Sequence, residues 1–155
     1  MDPLWIKYAH IIGATLLFGT GLGTAFHMWM THVSGDVRAI AVVARNTVLA
    51  DWLFTAPAVV LQPITGLLLV NAYGYALGDA WILASIGLYL LTGVCWLPVV
   101  GLQIRARRLA EASAARGEPL PQAYYRTMRL WFLLGWPAFI AVLAIFHLML
   151  FRPAL

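Results

Sequence analysis

Residues 130–151 read LWFLLGWPAFIAVLAIFHLMLF, 22 residues without one Asp, Glu, Lys or Arg. A bilayer's hydrocarbon core takes about 20 helical residues, so this stretch predicts a membrane-crossing helix. Three more runs share the property: Tyr8–Gly35, Trp52–Gly78 and Ala80–Ile104. Over the whole chain of 155 residues 63% are hydrophobic and 10% charged, where a soluble domain carries roughly a quarter charged. A soluble fold is excluded. So is a membrane β-barrel, whose strands alternate over about ten residues instead of running continuously apolar. The four runs leave too little chain for an extramembrane domain. The expected architecture is an all-α, antiparallel bundle of four transmembrane helices, a single domain over 1–155 with spans at about 4–30, 52–72, 81–104 and 129–151.

The net charge of +4 has its explanation in topology, and no nucleic-acid partner is expected. Twelve of the 16 charged residues fall in Asp36–Asp51 or Arg105–Arg129, and these segments hold eight of the ten Arg and Lys residues. The positive-inside rule places both segments in the cytoplasm, and with them both termini and the Asn71–Ala80 link outside. The expected location is the bacterial inner (cytoplasmic) membrane, as a multi-pass protein whose constant partner is the lipid bilayer. The start, Met-Asp-Pro-Leu-Trp, has no basic leader, and the first apolar run is too long for a signal peptide, so it reads as a retained helix. Cys95 is the one cysteine and lies inside the third span, which leaves no intrachain disulfide and predicts a small buried residue.

Punctuation refines the spans. Ser34-Gly35-Asp36 predicts a turn with Ser34 or Asp36 as the next helix cap. Val37–Ala50 has helical periodicity, either lying along the inner interface or lengthening helix two inward. Pro57 and Pro63 predict a kink in helix two. Gly117-Glu118-Pro119-Leu120-Pro121 is the clearest breaker before helix four.

Intramembrane ionisable and polar groups are expensive and are therefore the first functional candidates. His10 lies about 9 Å in from the start of helix one, and His147 about 7–8 Å in from the end of helix four. In an antiparallel bundle these depths match, so the two imidazoles are candidate axial ligands of one b-type haem. Gly13, Ala14, Gly21 and Thr24 share the His10 face at helical spacing. Such small residues admit either a flat macrocycle or a neighbouring helix. Gln62, beside Pro63, either bonds backbone groups that the proline frees or contacts a quinone or porphyrin.

Other constellations point elsewhere. His27-Met28-Trp29-Met30-Thr31-His32 offers thioether and imidazole ligands suited to copper, two at a time, with His32 expected in a solvated loop. Asp51, Arg105 and Arg129 fall near the inner ends of three helices, as an ion-pair cluster or as snorkelling charges. Gly19-Thr20-Gly21-Leu22-Gly23 sits within an apolar helix with no preceding strand, unlike a nucleotide loop. No nucleophile–base pair or metalloprotease motif is present.

Five stretches carry a resemblance: Trp5-Ile6-Lys7-Tyr8-Ala9-His10-Ile11, Gly19-Thr20-Gly21, Asp51-Trp52-Leu53-Phe54-Thr55-Ala56-Pro57, Leu61-Gln62-Pro63-Ile64-Thr65-Gly66 and Trp131–Pro137. Through them nearly the whole chain resembles an uncharacterised family of small bacterial predicted integral membrane proteins. More distantly, its opening and layout are similar to the haem-binding membrane protoporphyrinogen oxidases and to the copper-resistance D family. The oxidase resemblance carries over His10 alone, as a haem ligand. That family's Pro-Arg-Leu stretch after helix one and Asn-Glu-Val-Pro stretch before the last helix have no counterpart here.

The leading expectation is a haem b protein of the inner membrane that passes electrons between the quinone pool and a periplasmic partner. Its site would comprise His10 and His147 on the iron, with Gly13, Gly21, Thr24 and Gln62 around it. Haem b and quinone are the cofactors this implies, and the enzyme class would be a haem-dependent oxidoreductase. Two alternatives stand beside it: a structural or assembly subunit of a larger membrane complex or homo-oligomer without cofactor, and a protoporphyrinogen oxidase-like enzyme.

Overall fold

The computed structural model describes residues 2–153. Four helices account for nearly all of them: α1 (Pro3–Ser34), α2 (Val37–Ala72), α3 (Ala80–Arg116) and α4 (Gln122–Phe151), each long and apolar enough to cross a membrane. Among the described residues there is no strand. The expected spans all lie within these helices. The helices are longer than the spans because the charged segments continue the same helical backbone past the apolar run.

The helix ends follow from local chemistry. The Asp2 carboxylate accepts from the Leu4 amide at 2.9 Å and caps α1, with Pro3 in the first turn. Gly35 then turns left-handed (φ 71°), which glycine adopts without a Cβ penalty. Asp36, one of the two expected caps, accepts from the amides of Arg38 and Ala39 at 2.9 and 3.1 Å. Val37–Ala50 lengthens helix two; it is not a separate surface helix. After α3, Gly117 (φ 66°) and Glu118 return their amides to Ala114 and Ser113, closing the helix before Pro119.

Neighbours in sequence pack as antiparallel neighbours. Gln62 of α2 meets His10 of α1, Tyr89 of α3 meets Val59 of α2, and Ser113 meets Pro119 across the α3–α4 turn. The first and last helices meet through large aromatic rings. Phe18 stacks on Phe139 at 5.4 Å, Trp29 on Phe132 at 4.4 Å, and the His32 imidazole reaches the Tyr124 hydroxyl at 3.3 Å. His32 therefore belongs to the last turn of α1 and is half-buried, not a solvated loop residue, because Trp29 and Tyr124 enclose it.

The densest packing lies at the end that carries the charged segments. Met28, Ile40, Ala44, Val99, Ala106, Ala110, Tyr124 and Met128 form one buried cluster drawn from all four helices. Ala106 and Ala110 leave room on α3 for the Tyr124 ring, and all three are fully buried. Toward the other end the lipid-facing sides are apolar and exposed, as at Leu90, Val94 and Leu150. That end is closed by the Arg152 guanidinium, which donates to the Tyr75 hydroxyl and lies over the Tyr75 and Trp81 rings.

Helix α2 is not uniform. Asp51–Thr55 is a π-helical turn, in which the Ala56 amide bonds Asp51 five residues back. It lies directly before Pro57, whose ring crowds the preceding turn and which has no amide to donate. One extra residue per turn advances the helix by about 100°, so the turn resets which face of α2 looks inward. Asp51 and Thr55 are both buried by it.

Candidate functional site

The expected site residues divide into three groups. The first lies where α1 crosses α2. The His10 Nδ1 is 2.7 Å from the Thr65 hydroxyl, and the Gln62 amide donates to the His10 carbonyl at 2.9 Å. Gly13 admits this contact: a Cβ there would come within 2.5 Å of Gln62 Nε2. Gly66 also faces the His10 ring, but a Cβ there would meet it only at an ordinary contact distance of 3.5 Å. So His10, Gly13 and Gln62 are brought together, with Gln62 clamping two helices instead of bonding a proline-freed carbonyl of its own helix. The Thr65 hydroxyl donates to the Leu61 carbonyl at 2.8 Å. It therefore accepts from His10, which puts the ring proton on Nδ1 and leaves the Nε2 lone pair free.

His147 forms the second group by itself. It is exposed on α4 and its ring lies 4.6 Å from that of Phe151, one turn further along the same helix.

Gly21 and Thr24 belong to the third place, a half-open cavity of about 340 Å³ lined by residues of all four helices. That is at the lower end of the size of small-molecule sites, roughly 300–1,000 Å³. Its wall is mostly apolar and aromatic, with Phe18, Trp96, Trp136 and Phe139 among the rings. At spacings of three and four residues, Trp96, Val99 and Gln103 present one face of α3, and Trp131, Gly135, Ala138 and Val142 one face of α4.

The polar part of this wall is unusual. Asp51, Gln103 and Trp131 are 5%, 5% and 6% exposed, and all three line the cavity. One Asp51 oxygen accepts from Thr55 at 3.0 Å. The Gln103 side chain lies beside the Asp51 carboxylate with its NH2 as the group able to donate to it, too far for a well-formed bond. The second Asp51 oxygen, the Gln103 carbonyl oxygen and the Trp131 indole N–H are buried without a partner at hydrogen-bond distance. Leaving such groups unpaired costs about 1–3 kcal/mol each, more for a charged one. The hydroxyl protons of Thr24 and Thr92 go to Thr20 and Leu88 one turn back in their own helices, so neither serves the cluster as a donor. No cation sits on Asp51 either. The expected Asp51–Arg105–Arg129 cluster does not form, because both arginines point outward and are exposed.

Sequence reasoning placed Asp51 at a helix end and passed over Gln103 and Trp131. The available signal was Gln103 itself, a lone amide at the end of a charge-free run, at helical spacing from Trp96 and Val99. The copper segment stays dispersed: His27 and Met30 are exposed while Met28 is buried in the packed end. Among the described residues no group of three or more His, Cys, Asp and Glu stands ready to hold a metal ion. Cys95 is buried with a free thiol.

Fold and site together define a polytopic membrane protein of four helices around an aromatic cavity with a buried polar wall. The chain belongs to the family described as "Predicted integral membrane protein (DUF2269)", whose model matches residues 4–153. No curated protein and no solved structure matches it. The membership agrees with the family resemblance read from the sequence; a likeness to the haem oxidase or copper families is not shown.

Proposed function

We propose that this chain binds a quinol-class redox lipid in its central cavity and serves electron transfer in the inner membrane. The observation that carries the reading is the buried polar set of Asp51, Gln103 and Trp131, each with one atom short of a partner, on an otherwise apolar wall. The two acceptors call for a ligand that donates, which a quinol does through its two hydroxyls. The indole N–H supplies a donor for a quinol oxygen or for the carbonyl of the oxidised form. A buried carboxylate disfavours an anionic head, and aromatic side chains suit a planar ring. By the positive-inside argument the cavity lies toward the cytoplasmic side, with both termini outside. Solvent extraction of the protein purified in mild detergent tests the reading. A quinone near one per chain is the expected result; phospholipid alone would count against it.

A b-type haem held by His10 is a second reading; His147, its expected partner, is exposed on α4 and is not brought to His10. The support for this reading is the His10 tautomer: the ring is held through Nδ1 by Thr65, with Nε2 free to ligate, as second-shell bonds commonly orient metal-bound histidines. When bound, such a haem supplies one-electron transfer. Gly13 would not lie against the ring in that arrangement, because Gln62 covers it, whereas Gly21 and Thr24 face the cavity. Reduced-minus-oxidised absorption of the purified protein and of His10→Ala tests it. A low-spin b-type spectrum that is lost in the variant is expected on this reading; a colourless protein overturns it and leaves the quinol reading in place.

A further inference from the structure

A second concavity, of about 420 Å³, lies on the outer surface between α2 and α3 at the charged end. Its lining is divided by chemistry. Arg45, Arg107 and Arg108 supply three cations, while Leu49, Trp52 and Ile104 supply an apolar floor. Trp52 and Ile104 mark where the charge-free runs of α2 and α3 begin and end. Arg45 lies seven residues before Trp52, about 10 Å along the helix. The groove thus straddles the boundary between hydrocarbon and headgroups, with its cations on the headgroup side.

Arginines near a membrane surface commonly snorkel into the bulk headgroup layer, which would leave this groove unspecific. Arg107 departs from that pattern. Its Nε is buried and makes no hydrogen bond, and its ion pair with Glu111, one turn on, is long at 3.8 Å. A guanidinium with a buried unpaired N–H beside two further arginines is suited to an oxyanion that reaches in and accepts from several N–H groups at once. No acidic side chain lines the groove itself, and the one carboxylate paired with its cations, Glu111, meets Arg107 only at the long distance of 3.8 Å. The exposed faces of Trp52 and Leu49 continue from the cations into the apolar layer, where acyl chains would lie.

We infer that this groove is a binding site for one anionic phospholipid, with its phosphodiester on Arg45, Arg107 and Arg108 and its acyl chains over Leu49, Trp52 and Ile104. Basic pockets between transmembrane helices on the cytoplasmic side hold acidic headgroups by this chemistry. The site is separate from the central cavity and does not depend on what the cavity binds.

The test uses the full chain, delipidated in mild detergent and titrated with phosphatidylglycerol, cardiolipin or phosphatidylcholine, with bound lipid counted by native mass spectrometry. The wild type is expected to retain the two anionic lipids and release phosphatidylcholine. A triple variant Arg45→Gln, Arg107→Gln, Arg108→Gln should bind the anionic lipids roughly a hundredfold more weakly, from about 1 kcal/mol per cation. A control with the same charge change on other exposed arginines, Arg105→Gln, Arg126→Gln, Arg129→Gln, should bind as the wild type does. Equal loss in the control, or equal retention of phosphatidylcholine, would overturn the site. If the triple variant does not fold, Arg107→Gln alone should still lower retention about fivefold to tenfold; no change there would also overturn it. Competition by glycerol phosphate that displaces the lipid completely would reduce the site to a free-phosphate pocket and contradict the role given to Leu49, Trp52 and Ile104.

Discussion

The Tyr89 hydroxyl of α3 donates to the carbonyl of Val59 in α2, the acceptor that Pro63, four residues on, leaves without an amide partner. A helix that contains proline inside a bilayer must have its freed carbonyl satisfied by a neighbour, and here the neighbour is the next helix. The proline thus ties α2 to α3 while Gln62, the residue before it, ties α2 to α1.

A double-mutant cycle tests the first tie. Tyr89→Phe should destabilise the fold by about 1 kcal/mol in a detergent unfolding titration, in the range of interhelical hydrogen bonds in membranes. In a Pro63→Ala background the new amide can serve Val59 itself, so the same change should cost little. Equal costs in both backgrounds would mean that Tyr89 does not serve the carbonyl.

The second tie makes Gly13 and Gln62 interdependent. Gly13→Ala places a methyl group on the Gln62 amide and pushes it off the His10 carbonyl. The expected cost is about 1–2 kcal/mol. Gln62→Ala removes the obstruction, and Gly13→Ala added to it should cost under about 0.5 kcal/mol. Additive losses would place the Gly13 constraint elsewhere.

Asp51 should show a trade between stability and binding. It is a buried carboxylate with one well-formed bond, to Thr55, the Gln103 side chain beside it, and no cation. Removing a poorly compensated buried charge is commonly neutral or stabilising. Asp51→Asn should therefore unfold at the same or higher denaturant concentration, while losing affinity for a quinol roughly tenfold. Clear destabilisation of the empty protein would make Asp51 a structural residue.

Topology has its own check. With the buried Cys95 replaced by alanine, single cysteines placed at Gly117 and at Ala76 should label from opposite sides of sealed vesicles. The position at 117 is expected on the cytoplasmic side. The reverse pattern would turn the bundle over and move the cavity to the outer half.

The sequence carried the fold a long way, because charge-free runs, left-handed glycines and proline breaks are local signals. Helix count, the Asp36 cap and the Gly117–Pro121 break could all be read from it. Rotation about each helix axis could not. His10, Gly13, Gly21 and Thr24 look like one face at ideal spacing, yet Gly13 meets Gln62 on α2 while Gly21 and Thr24 meet the cavity. Asp51 was harder still, since the π turn that holds it inward, two residues ahead of Pro57 and packed against α1, is not written in its neighbours' periodicity. Gln103 and Trp131 acquire meaning only once Asp51 is placed on the same cavity wall.

The central claim is that the cavity takes a quinol through its polar wall. The most direct measurement is a titration of the protein in lipid nanodiscs with a short-chain quinol, read by quenching of the cavity tryptophans, in the wild type and in Gln103→Leu. The account predicts saturable quenching in the wild type and affinity about tenfold lower in the variant, the worth of one buried hydrogen bond to the ligand. Unsaturable quenching, or the same affinity in both proteins, would contradict it.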